Sequence, residues 1–410
     1  MSLDNDVNDQ ESARDGLDGS GLGLGLGLGL GLPIFVEIPV NNGPISSIAT
    51  SPDGSRLMVT NYGHNSVSII DTDSCRVLET VAGVDEPFAI AVGGPEGIAA
   101  NRAYVSSVSR AYDSIEVIDV FTNAVIATHR LALSVSDLAV SADGKYVYAS
   151  RNGAGSADVV VLDTATDQVE VIDIAGPSAA PGTTTACVRD SADGSHLYVG
   201  TNGPAGGRLV VIGAQAPADD GCSGGRAGWR GKKSTRSLGK SAQTASRARL
   251  GVIDTVEIGL PIRDVAVSPD GAVVYVASCC PELGAVVDVI DTRTNKIAGT
   301  RKIGEISGIL TGLTLSRDGD RAYLVSDDSI TVLCALTQDV IGTVRVTKQP
   351  SCVVESPDGK SLYIADYSGA VSVTSVASVA PLAIEGAAQQ SDASAAWAML
   401  ELLKYEPALA

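Results

Sequence analysis

From residue 34 to about 380 the chain is a succession of short apolar runs separated by Gly, Asp, Asn and Pro. The spacing of those runs repeats. The stretch "GPISSIATSPDGSRLMVTNYGHNSVSIIDTD", residues 43–73, shows the unit: an apolar run, the tetrapeptide Ser-Pro-Asp-Gly, a second run, a polar turn, and a third run ending in Asp. The tetrapeptide or a close variant stands at 51–54, 94–97, 141–144, 191–194, 268–271, 316–319 and 356–359, with starts separated by 43, 47, 50, 77, 48 and 40 residues. Self-similarity at such a period marks a stacked or circular assembly of one supersecondary unit.

Each copy predicts four short strands. Runs carrying Tyr follow the tetrapeptide, at 103–107, 147–151, 197–200, 274–278, 322–326 and 362–366. Third runs end in Asp at 71, 119, 163 and 291, and fourth runs occupy 77–81, 125–128 and 169–174. Four strands joined by tight turns make an antiparallel meander, and seven of these arranged radially make an all-β, seven-bladed propeller. The last copy supplies only three clear strands, whereas residues 34–40 form an orphan strand ahead of the first tetrapeptide. That strand is expected to complete the last blade and remove two exposed sheet edges.

The tetrapeptide itself has a structural explanation. Pro presets φ for a turn, Asp caps its own backbone and Gly supplies a positive φ. A calcium loop would place several carboxylates in one segment, which Asp53 lacks.

The repeat resembles that of the YVTN β-propeller family, whose tetrapeptide matches here as Met58-Val59-Thr60-Asn61, over roughly residues 34–380. The second copy departs, with Gly-Pro-Glu-Gly and an apparent insertion at 98–100. So does the fourth, where a loop at 214–250 is expected to interrupt the sheet. The resemblance implies that the first strand of each blade lines a central channel. The tetrapeptides then lie on one face, and ligands meet the other. The turns of that second face carry Tyr62, His64, Arg110, Arg151 and Glu282. Five residues before each tetrapeptide, at the channel mouth, stand Ser46, Ser136, Ala186, Arg263, Thr311 and Ser351, with Asp137 and Asp264 one position later. Arg263 breaks this ring's symmetry. Its guanidinium could take a carboxylate or phosphate, although a salt bridge to Asp264 or Asp137 is the favoured expectation.

Charge changes the picture in one place. The chain carries −19 overall, yet Arg226, Arg230, Lys232, Lys233, Arg236, Lys240, Arg247 and Arg249 crowd the 214–250 insertion against Asp219 and Asp220, a local +6. Such a loop could touch nucleic acid, acidic lipid or the protein's own acidic surface. The seven cysteines lack Cys-x-x-Cys spacing and read as buried thiols of a reducing compartment; vicinal Cys279 and Cys280 are a weak redox or soft-metal signal. Three histidines on different blade positions are too few for a metal site. Residues 1–32 are acidic and then half glycine, which reads as a disordered tail without a signal peptide and suggests a cytoplasmic protein, with the cell envelope or unconventional secretion as the alternative. Residues 391–405, with Trp397, Leu400 and Leu403 at helical spacing, predict a short amphipathic helix in the tail 381–410.

Together these features predict a monomeric, non-enzymatic binding or scaffold propeller without cofactor or metal, presenting its ligand or partner site opposite the tetrapeptides. Two alternatives stay open. Some seven-bladed relatives hydrolyse sugar lactones, for which Arg263 with Asp137, Asp264 or Glu282 would hold an anionic sugar. The basic loop, through Arg226, Arg230, Lys232, Lys233 and Arg236, would instead contact a polyanion.

Overall fold

A computed structural model describes residues 36–94, 101–109, 112–132, 134–153, 156–174, 182–214, 250–306, 308–346 and 348–379. The expectations for the tail 1–32, the Pro-Glu-Gly of the second copy, the basic residues of the insertion and the C-terminal helix fall outside these residues. Within them lie seven four-stranded antiparallel sheets. The inner strands are Ile45–Thr50, Ile90–Val92, Ser134–Val140, Thr184–Asp190, Ile262–Val267, Leu310–Leu315 and Pro350–Glu355. Among the described residues no helix is long and apolar enough to cross a membrane.

The second and third strands of each blade are rich in Val, Ile, Leu, Ala and Tyr, with buried Ser and Thr among them, because both of their faces are buried. In blade 1, Leu57, Val59 and Ile70 pack with Tyr363, Ala365 and Val371 of blade 7. On the other face, Met58, Val67 and Ile69 pack with Ala103, Val105 and Ile118 of blade 2. The fourth strands face outward and are mostly exposed, as in Arg76–Ala82 and Lys296–Ile303.

The ring closes as the orphan strand predicts. Val36–Pro39 pairs antiparallel with Ala370–Ser375, through Val36 with Val373 and Pro39 with Ala370, and becomes the outer strand of blade 7. Ile38, 2% exposed, anchors it in the core between blades 7 and 1.

The tetrapeptide is a turn in every described copy. The serine Oγ donates to the aspartate carboxylate, as from Ser51 to Asp53 and Ser191 to Asp193 (both 2.6 Å), and accepts the backbone N–H five residues on. The glycines take φ between 66° and 79°. Blade 4 corrects one expectation, because the insertion does not interrupt its sheet. Ala214 still pairs with Leu250, so the insertion falls between the paired third and fourth strands. Its root therefore lies on the tetrapeptide face, beside the Gly213 pairing with His196.

Deleting residues 33–40 should collapse the whole ring in one cooperative transition. Ile38→Ala should cost about 2 to 4 kcal/mol, as for other buried aliphatic truncations. Calorimetry checks both; an unchanged melting transition in the deletion refutes the closure.

Candidate functional site

The inner strands enclose a channel of about 550 Å3. Its upper rim, away from the tetrapeptides, is built by a recurrent irregularity. In six blades the pairing of first and second strands skips one residue, leaving Ser46, Ser136, Ala186, Arg263, Thr311 and Ser351 unpaired as β-bulges. A bulge re-aims its side chain out of the pleat, and these six turn toward the channel lumen. Two of the hydroxyls are spent on the neighbouring blade. Ser46 Oγ donates to Pro87 O (2.9 Å), and Ser136 Oγ lies 2.9 Å from Thr185 Oγ1.

The carboxylates predicted beside this ring are already engaged. Arg189, on the inner strand of blade 4, reaches left to Asp137 of blade 3 and right to Asp264 of blade 5, where the Nη2 to Oδ1 distance is 2.6 Å. Asp137 Oδ2 also accepts Val188 N–H (3.0 Å) and Asp264 Oδ2 accepts Leu313 N–H (2.9 Å), each across a blade boundary. Burial works against the charge of Arg189, yet the two carboxylates outweigh it and hold the guanidinium protonated beyond its ordinary range. Burial likewise pushes Asp264 up, against the pull of Arg189.

This arrangement overturns the expected pairing of Arg263. Among the described residues Arg263 forms no ion pair. Its Nε donates to Cys279 Sγ at 3.2 Å, and the residue is exposed at the rim. Arg189 was missed in the sequence although a signal existed. Two residues before the tetrapeptide the other blades hold Ala49, Val92, Ala139, Ala266, Thr314 and Val354.

The remaining predicted residues scatter. Arg151 is withdrawn from the face: it is 6% exposed and forms two hydrogen bonds to Asp158, at 2.7 and 3.0 Å. Tyr62 is 42% exposed, with its hydroxyl 3.5 Å from Glu86 Oε2. His64 lies in the same turn against Gly43, and Glu282 is exposed in the turn after Val273–Cys280; neither lines the channel. Arg110 lies outside the described residues. Among the described residues no group of three or more His, Cys, Asp or Glu is placed to hold a metal. Burial raises the thiols of Cys187 and Cys352, the latter to about 12, which keeps them protonated and unreactive.

A protein described as seven-bladed beta-propeller protein Rv1057, from Mycobacterium tuberculosis, is 56% identical over 375 residues, covering 92% of this chain and 93% of its own length. The chain belongs to this family of seven-bladed β-propellers. No family model matches, so the likeness of this propeller to the YVTN repeat rests on the quoted motifs. Kuenenia stuttgartiensis hydrazine synthase superposes with a TM-score of 0.64 at 21% identity, covering 87% of this propeller chain and 99% of that one, a likeness of fold.

Arg189→Met should cost about 2 kcal/mol or more, since it strands two carboxylates; the 30% exposure of the Arg189 side chain keeps the loss near the low end. Adding Asp137→Asn and Asp264→Asn should recover most of it in denaturant titrations.

A second prediction concerns pH. Asp190, at the lower end of the same strand, is raised from 3.8 to about 6, chiefly by burial and then by Asp143 and Asp193, against the Ala142 N–H. The folded state then binds its proton more tightly than the unfolded chain, so stability rises as pH falls through about 6 toward 3.8. The tetrapeptide carboxyls Asp193 and Asp358, held near 2 chiefly by Ser191 and Ser356, have the opposite sign: their contribution is present above 3.8 and lost as pH falls through about 2. Melting temperature should pass through a maximum between these limits, and Asp190→Asn should flatten its neutral limb.

Proposed function

We propose that the protein is a binding propeller whose channel rim takes an anionic group, a carboxylate or phosphate of a small ligand or of a partner, on Arg263. One observation carries this reading: Arg263 faces an open channel without a carboxylate partner, because Arg189 occupies both nearby acids. Thr311 and Ser351 line the same rim, Thr311 with its hydroxyl donating to Val325 O at 3.3 Å. A guanidinium fork beside hydroxyls suits planar or tetrahedral oxyanions.

The hydrolytic alternative fits the geometry less well. Asp137 and Asp264 serve Arg189 and backbone N–H groups, and Glu282 stands apart in its turn, so neither supplies a base poised over an anion on Arg263. Seven-bladed rings support many unrelated functions, and the reading rests on this site rather than on the fold.

A thermal-shift screen of sugar phosphates, sugar acids and sugar lactones tests it. A ligand at a hundredfold its Kd stabilises the native state by about 2.7 kcal/mol, a readily measured rise in Tm. The expected result is a rise with anionic compounds that Arg263→Met abolishes and Glu282→Gln preserves. Turnover of a lactone, or a rise that survives Arg263→Met, counts against the proposal.

A further inference from the structure

The channel mouth has a seventh position that the spacing of the tetrapeptides conceals. In blade 2 the N–H of Gly93 donates to Arg102 O at 2.9 Å, the same bond that Ser51 N–H makes to Arg56 O and Ser141 N–H makes to Tyr146 O, both at 2.8 Å. Gly93 rather than Gly94 therefore occupies the place of the tetrapeptide serine, and the residue five positions earlier is Phe88. The pairing agrees. Phe88 N–H donates to Ser106 O at 3.1 Å while Ser106 N–H donates to Ala89 O at 2.9 Å, so two residues face one, as in a β-bulge. Phe88 thus belongs to the ring of Ser46 and Arg263, and it lines the same channel.

Its side chain sets it apart. Five of the seven ring positions carry Ser, Ala or Thr, and only blades 2 and 5 place a large group at the mouth, Phe88 and Arg263. Inner strands pack in chain order around the axis, so blade 5 lies three blades from blade 2 on one side and four on the other. The phenyl ring and the guanidinium therefore stand across the opening from each other. Phe88 is 47% exposed although its backbone is held at both ends, its N–H by Ser106 and its carbonyl by Thr60 Oγ1 at 3.5 Å. Below the rim, Asp137 and Asp264 line the channel and repel an anion that sinks further. The charge is kept at the level of Arg263, and the molecule that carries it extends across the mouth toward Phe88.

We propose that the ligand of this mouth is an anion on a flat apolar body, an aryl or arylalkyl carboxylate or phosphate, with its charge on Arg263 and its ring stacked on Phe88. The proposal rests on the reading of Arg263 as an anion site and adds the class of molecule that bears the anion. A concave site that pairs an aromatic wall with one fixed charge has the usual make-up of a small-molecule pocket. Stacking of two rings adds to the apolar area they bury.

Titration calorimetry of the full chain with four probes separates the two claims: phenyl phosphate and phenylacetate against inorganic phosphate and acetate. Each aryl probe should bind roughly tenfold or more tighter than its bare counterpart. Phe88→Ala should bring the aryl probes down to the level of the bare anions and leave Tm unchanged, because the exposed ring fills no core; Phe88→Tyr should keep the margin. Arg263→Met should abolish binding of all four. Aryl and bare anions that bind alike, or a margin that survives Phe88→Ala, overturn the aryl proposal and leave Arg263 as an anion site. Binding that survives Arg263→Met, or no binding of any probe, overturns both.

Discussion

Everything in this molecule hangs on the pairing of Val36–Pro39 with Ala370–Ser375. Seven sheets packed face to face form a ring only if the first and last share a blade, and here four residues from the N-terminal side supply the missing outer strand. Without that pairing, the blade 7 strand Ala370–Ser375 would be an open edge and Ile38 would leave the core it shares with blade 1. An open ring would also widen the axis that the inner strands enclose, so the geometry of the channel is downstream of this one short ladder.

Within the closed ring, the channel gains its character from how charges are shared among neighbouring blades. Asp137 and Asp264 occupy the same register position in blades 3 and 5, and each accepts a backbone N–H from the blade that follows. Two like charges facing a narrow lumen would repel. Arg189, from the blade between them, satisfies both and makes a strut across three blades. The consequence is felt at the rim: with both acids engaged, Arg263 is left with a thiol as its neighbour. The structural strut and the candidate anion site are thus one electrostatic arrangement.

Much of the fold was legible because a propeller writes its architecture in local, repeated chemistry. Turn residues, periodic Val/Ile/Tyr runs and a surplus strand at residues 34–40 led directly to seven blades and their closure, and the tetrapeptide's Ser-to-Asp hydrogen bond repeats within four residues. The site was legible only in part. Arg263, Asp137 and Asp264 do stand at the channel, but their partners were assigned wrongly. Arg151 reads like a face residue until its bidentate contact with Asp158, across the adjacent strand, withdraws it.

The amino-acid sequence by itself determined the number of blades and the positions of their turns, since these follow from turn chemistry and periodicity acting over a few residues. Only the tertiary structure decided which acid meets which base. Arg189 lies 52 residues from Asp137 and 75 from Asp264, and they come together because inner strands of successive blades converge on one axis. Ion pairing depends on distance in space, and no local pattern along the chain encodes the convergence that turns Arg189 into a strut and leaves Arg263 unpaired.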